Sequence, residues 1–292
     1  MYNLSCWRTT AILVICGVTA IASPTPTFKT IVNFDGTNGS FPGEGFLIQG
    51  LNGNLYGTTK SGGKNGDGAV FEVTPEGKIT TLYSFCSKAD CADGSGPYAG
   101  LVLATDGNFY GTTFSGGAHG KGSVYEITPA GEFTTLYSFC SETNCADGQN
   151  PIAPLIQATD GNFYGTTYAG GNANDAGILF QITPAGKLTT FYEFCSKAGA
   201  NCPDGANPAA AVVQGTNGYL YGTTVGGGGV ASDAESTDCD GDAFVDDKNV
   251  LHTPEERLSY FFLYLALMGI PLTQVGPISS MQGWRQKSIR GM

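Results

Sequence analysis

Residues 105–113 read TDGNFYGTT, and the same nine letters return at residues 159–167. LNGNLYGTT at 51–59 and TNGYLYGTT at 216–224 are variants of the same text. The four Tyr-Gly-Thr-Thr cores begin at Tyr56, Tyr110, Tyr164 and Tyr221, spaced 54, 54 and 57 residues apart. Self-similarity at such a period marks stacked supersecondary units. Inside the stretch, Asp106-Gly107 is a hairpin signal, because Asp-Gly tolerates the positive φ of a tight turn. The spacing therefore predicts one strand over Leu101–Ala104 and a second over Phe109–Thr113.

Downstream text repeats as closely. VFEVTPEGKITTLYSF, VYEITPAGEFTTLYSF and LFQITPAGKLTTFYEF end at Phe85, Phe139 and Phe194. In the middle copy, Ser123–Thr128 alternates apolar and polar positions, as a half-buried strand does. Pro129-Ala130-Gly131 is a turn, with proline early and glycine late. Phe133–Phe139 supplies a fourth strand. Four antiparallel strands per unit describe a propeller blade. The fold class expected is all-β: a β-propeller-like tandem repeat with an incomplete or degenerate last blade and an atypical C-terminal tail. Units run over about 46–85, 100–139 and 154–194, with a partial one over 211–229. Residues 28–34 end in KTIVNF, which aligns with TTLYSF, so they are expected to be an orphan fourth strand that pairs into the final blade. The repeat region is thus 28–229, and 230–292 is a divergent tail.

Composition agrees with a turn-rich β chain. Glycine contributes 44 of 292 residues, about twice its usual share of roughly 7%. Aromatics reach 11% while charged residues are only 13%, which excludes a disordered chain. The net charge is −11, from 14 basic against 25 acidic residues. Nucleic acid is excluded as a partner, since phosphate contacts need clustered Lys and Arg.

The first residues read as an export signal. Arg8 precedes the apolar run Ala11–Ala22, and Ala20-Ile21-Ala22 is an A-x-A cleavage site. A signal peptide over 1–22 and a secreted or cell-surface protein are expected. Membrane contact would come only through that signal or a C-terminal anchor.

These units resemble the GloVer tandem-repeat family of exported bacterial proteins, known for a choice of C-terminal anchors. Asp106–Thr113, Ser115-Gly116-Gly117 and Ile127-Thr128-Pro129-Ala130-Gly131 carry the resemblance, which covers about 46–225. It implies a secreted or surface-attached propeller-like protein and brings no activity with it.

Of nine cysteines, six fall in close pairs: Cys86 with Cys91, Cys140 with Cys145, and Cys195 with Cys202. Each pair sits between a fourth strand and the next Asp-Gly. In the first unit Phe34 runs straight into Asp35-Gly36 and both cysteines are missing together. Residues that come and go as a pair are bonded to each other, so three disulfides are expected, as suits an oxidising compartment.

Chemistry is harder to find. Asp93, Asp147 and Asp204 occupy equivalent loops, and a carboxylate ring at a propeller mouth could bind a ligand or do acid–base work. Each also precedes glycine, which a turn alone explains. Tyr110 and Tyr164 could stack on sugar rings or fill the core between blades. In the tail, Asp238, Asp240, Asp242, Phe244 (through its carbonyl), Asp246 and Asn249 have the spacing of a calcium loop, although Ala243 replaces the usual glycine. No cofactor is required; calcium is the one candidate. Beyond it, residues 256–270 could form a short helix. The leading expectation is a non-enzymatic extracellular binding or adhesion scaffold, with carbohydrate or a cell-surface protein as partner. The alternatives are a glycan-active hydrolase or lyase using the aspartates, and a purely structural surface protein.

Overall fold

The computed structural model describes residues 28–42, 45–198 and 201–228, together with the backbone of Ala243–Val245. The chain divides into two compact units, Met1–Ile31 and Val32–Met292. In the first, residues 28–31 are described and hold neither strand nor helix. The predicted signal peptide and the helix expected at 256–270 lie outside the described residues.

Within Val32–Met292 the described residues form a tandem array of antiparallel sheets. The first contains β1 (Ile48–Gln49), β2 (Leu55–Thr59), β3 (Ala69–Val73) and β4 (Ile79–Ser84), in that spatial order. The second contains β5 (Val102–Leu103), β6 (Phe109–Thr113), β7 (Ser123–Ile127) and β8 (Phe133–Ser138). The third contains β9 (Ile156–Gln157), β10 (Phe163–Thr167), β11 (Ile178–Ile182) and β12 (Leu188–Glu193). A fourth has three described strands: β13 (Val213–Gln214), β14 (Leu220–Thr223) and β15 (Ala243–Val245). The propeller-like, all-β expectation holds.

Register repeats as faithfully as sequence. Tyr56 faces Glu72, Tyr110 faces Glu126 and Tyr164 faces Gln181. The third and fourth strands shift register at Val70/Phe71, Val124/Tyr125 and Leu179/Phe180. Such a bulge bends and twists a strand. The Asp-Gly turn differs in detail from a two-residue hairpin. Gly107 donates to the Ala104 carbonyl and Ala104 to that of Asn108, so a type I turn is followed by glycine alone at positive φ, +86°. Asp106 instead accepts the Asn108 amide on its carboxylate.

Cores form between units rather than within them. Tyr56, Val70 and Phe85 of the first unit pack with Leu101, Phe109, Tyr125 and Ile127 of the second. Tyr110, Val124 and Phe139 repeat the arrangement against Leu155, Phe163, Ile178 and Phe180. Tyr164, Leu179 and Phe194 repeat it against Val212 and Leu220. The close, tilted pairing of Tyr56 with Phe109 (4.2 Å, 31°) recurs in Tyr110 with Phe163 (4.1 Å, 29°). A four-stranded sheet buries apolar side chains on both faces only when a neighbour covers each, which is why one unit cannot stand alone.

Residues 28–34, expected as an orphan fourth strand, carry no strand ladder among the described residues. Phe34 nevertheless meets Phe71 edge-on at 4.9 Å, as Phe85 meets Tyr125 at 5.1 Å and Phe139 meets Phe180 at 5.2 Å. Phe34 therefore sits where a preceding unit's last aromatic would, with no strand partner among the described residues.

Candidate functional site

Strand directions sort the loops into two ends. Thr59, Ala69 and Ser84 lie at matched register, so the β2–β3 loop and the β4–β5 connection share one end. The Asn52-Gly53 and Glu76-Gly77 turns lie at the other.

At the first end, the aspartates of the long connections act as clasps. One Asp93 oxygen accepts from the Tyr83 hydroxyl (2.7 Å), the Ser87 amide (2.9 Å) and the Ser87 hydroxyl (2.8 Å); the other accepts from the Lys88 amide (3.1 Å). Asp147 repeats this with Tyr137, Ser141 and Glu142. Asp204 keeps only half of this: its Oδ2 accepts from Tyr192, Ser196 and Lys197, while its Oδ1 is buried with no hydrogen-bond partner among the described residues. Asp93 and Asp147 are fully buried. The three cysteine pairs are bonded as expected and close the same loops. Cys91 anchors its loop further, its carbonyl accepting from both Gly94 and Gly117. Asp67 lies near the Cys86–Cys91 sulfurs, but these are bonded to each other and offer no metal ligand.

Burial works against the charge of Asp93 and Asp147, yet their tyrosine, serine and amide donors outweigh it and hold both below the ordinary carboxylate value. Burial, together with the neighbouring carboxylates, pushes Tyr83, Tyr137 and Tyr192 up to about 12. A carboxylate lowered on folding stabilises the fold above about pH 3.9, and this is lost as pH falls through the folded value. A tyrosine raised on folding contributes below about pH 10 and loses that contribution toward pH 12. The melting temperature should thus fall below about pH 4 and again above about pH 10. Ultraviolet titration should show a late-ionising tyrosine class, which Asp147→Asn diminishes.

At the opposite end the repeated tyrosines are core residues with tethered hydroxyls. Tyr110 is buried and donates to Asp106 (2.7 Å), and Tyr164 is buried and donates to Asp160 (2.9 Å) while accepting from Gln181 (2.6 Å). Tyr56 donates to Glu72 (2.8 Å) and accepts from Asn52 (2.8 Å). The structure therefore puts Tyr110 and Tyr164 away from the clasp loops rather than beside Asp93, Asp147 and Asp204. Of the calcium-loop residues, Asp238, Asp240, Asp242, Asp246 and Asn249 lie outside the described residues. Phe244 is in β15, its backbone paired with Gly222.

A different set faces outward at the clasp end. Directly after Tyr-Gly-Thr-Thr come Lys60, Phe114, Tyr168 and Val225, one per unit. They are linked in series: Phe114 donates its amide to Gly96, and its carbonyl accepts from the Asn150 side chain (3.0 Å). Asn150 in turn accepts from the Tyr168 amide, whose carbonyl accepts from the Asn207 side chain (2.8 Å). Asn207 accepts from the Val225 amide. Tyr98 fills the gap at one end, with the Lys60 ammonium 4.1 Å from its ring centre and Phe114 at 4.9 Å. Tyr168 is 38% exposed and Val225 45%. The result is a row of partly exposed rings across successive units. Sequence reading passed over it, although one signal was present: this position varies from Lys to Phe to Tyr to Val inside text that otherwise barely changes.

Among solved structures, the chain is similar to a candidate gluconolactonase, at 14% identity over 61% of this chain and 56% of that one, with a TM-score of 0.39. A candidate oxidoreductase (glucose dehydrogenase) from Thermus thermophilus gives 17% identity over the same shares and the same TM-score. A glycosyl hydrolase from Bacteroides ovatus gives 10% identity over 65% of this chain and 61% of that one, with a TM-score of 0.32. The chain thus spans little more than half the length of the first two. No curated protein matches it significantly in sequence. A family model does, over residues 16–234, which takes in β1 to β14: the chain belongs to the Gloeobacter/Verrucomicrobia repeat family.

Proposed function

We propose that the protein is an exported, non-enzymatic scaffold that binds glycan chains outside the cytoplasm through the row of rings at the clasp end. The observation that carries this reading is the series Lys60, Tyr98, Phe114 and Tyr168, with Tyr168 standing 38% exposed. Ring faces presented side by side suit the flat C–H faces of successive sugars, and neighbouring polar groups fix orientation. Asn150 bridges the Phe114 and Tyr168 backbones, and the neighbouring Gln149 side chain is held by Asp175 (2.8 Å). Three disulfides fit an oxidising compartment. No helix among the described residues is long and apolar enough to cross a membrane.

The hydrolase or lyase reading draws no support from the aspartates. A general acid or base must reach the proton it moves, and the buried Asp93 and Asp147 carboxylates are already engaged on both oxygens. Glycan-array binding of the secreted protein tests the proposal. Binding to at least one oligosaccharide class, weakened about tenfold by Tyr168→Ala, is expected; an array without signal contradicts it.

A further inference from the structure

Each unit has a leading face, turned to the unit before it, and a trailing face, turned to the unit after it. The same leading-face position is Leu101 in the second unit, Leu155 in the third and Val212 in the fourth, exposed by 0%, 3% and 2%. In the first unit it is Leu47, which is 54% exposed, and Phe46 beside it is 51% exposed. The trailing face shows the complementary gap. Thr58, Thr112 and Thr166 are buried at 3%, 1% and 1%. Their equivalent Thr223 is exposed, and Val213 on the same sheet is 45% exposed. Apart from Tyr168, the large apolar side chains exposed between Val32 and Gly228 all lie in the first and last units or the segment leading into the first. Two open faces thus remain, each of the kind that buries its partner twice or more inside the same chain.

Strand count gives an independent indication. The last sheet has three described strands where the others have four. The segment ending at Phe34 holds the place of a fourth-strand aromatic and joins no sheet among the described residues. Among the described residues the outer edge of β15 has no partner, and such an edge is a template for another strand.

We propose that a second copy of this chain fills both gaps. The trailing face of one copy's last unit (Val213, Thr223) packs on the leading face of the other's first unit (Leu47, Phe46), and Val32–Phe34 of the second copy adds as the fourth strand beside β15 of the first. The contact is made twice, because each copy offers both faces, and a head-to-tail contact that closes gives a ring. The assembly is a two-chain ring of eight units. The occupant follows from continuity: the open faces match those that already meet at the three inter-unit cores, and within one described chain neither covers the other.

Sedimentation equilibrium of the full protein should give a mass twice that of the chain in denaturant. Leu47→Asp and, separately, Thr223→Arg should each weaken the assembly about tenfold or more. Both positions are exposed in the single chain, so near-ultraviolet circular dichroism of the resulting monomer should stay native-like. A single-chain mass at all concentrations would overturn the proposal. So would open-ended oligomers, or a two-chain species indifferent to both substitutions.

Discussion

Gly111→Val is expected to be the most damaging single substitution in the repeat region. Gly111 lies opposite Tyr125 in the β6–β7 ladder, and a Cβ there would stand 2.5 Å from the Tyr125 hydroxyl and 2.7 Å from the ring. Tyr125 is fully buried and flanked by Phe85 and Phe133, so it has nowhere to retreat. The same pairing recurs as Gly57 under Phe71 and Gly165 under Phe180, with approaches of 2.7 and 2.8 Å. The aromatic ring covers the glycine, and the missing Cβ makes room for the ring. Overpacking a closed core costs about 1–3 kcal/mol, with the entropic and branching terms here placing it at the upper end. For a domain of this size about 3 kcal/mol corresponds to a fall of about 6–12 °C in melting temperature. Tyr125→Phe supplies the control. Its hydroxyl has no hydrogen-bond partner among the described residues, and the equivalent positions already carry phenylalanine. Thermal melting should show Tyr125→Phe unchanged or more stable, and it should soften the penalty of Gly111→Val.

Asp147→Ala should come next. It removes the acceptor of the Tyr137 hydroxyl, the Ser141 amide and hydroxyl, and the Glu142 amide at once, leaving the two hydroxyls only each other. Hydrogen bonds to an ionised acceptor contribute about 1.5–3 kcal/mol each, but Ser141 and Glu142 are exposed and regain water. A net loss of about 2 kcal/mol in urea unfolding is expected. Tyr137→Phe, which removes one donor and leaves the rest, should cost about 1 kcal/mol. Equal losses for the two variants would mean that the clasp is not what holds the loop.

How much of this was legible in the sequence follows from what repetition can encode. TDGNFYGTT fixed the β5–β6 hairpin and the ladder register, because identical text in successive units must satisfy identical neighbours. Cysteine pairing was legible because the first unit lacks both partners together. The segment ending at Phe34 was half legible: its aromatic takes the equivalent position, but strand pairing depends on an edge that sequence alignment does not supply. Tyr110 and Tyr164 were ambiguous because an aromatic in a repeat can fill a core or line a surface, and only the packing of Tyr110 on Phe163 decides. Asp93 looked like a turn residue and is more than that, since four donors converge on it from residues five to ten positions away. Tyr98, Phe114 and Tyr168 were hidden because a binding surface lies where the repeat stops repeating.

The central claim is a division of labour at the clasp end: buried aspartates hold the loops, and the outward rings bind. Melting temperature and oligosaccharide affinity, measured together on Tyr168→Ala and Asp147→Asn, separate the two roles. The account predicts that Tyr168→Ala loses affinity at an unchanged melting temperature, whereas Asp147→Asn melts earlier and binds normally while folded. Loss of affinity in a folded Asp147→Asn protein, with Tyr168→Ala binding undiminished, would contradict it.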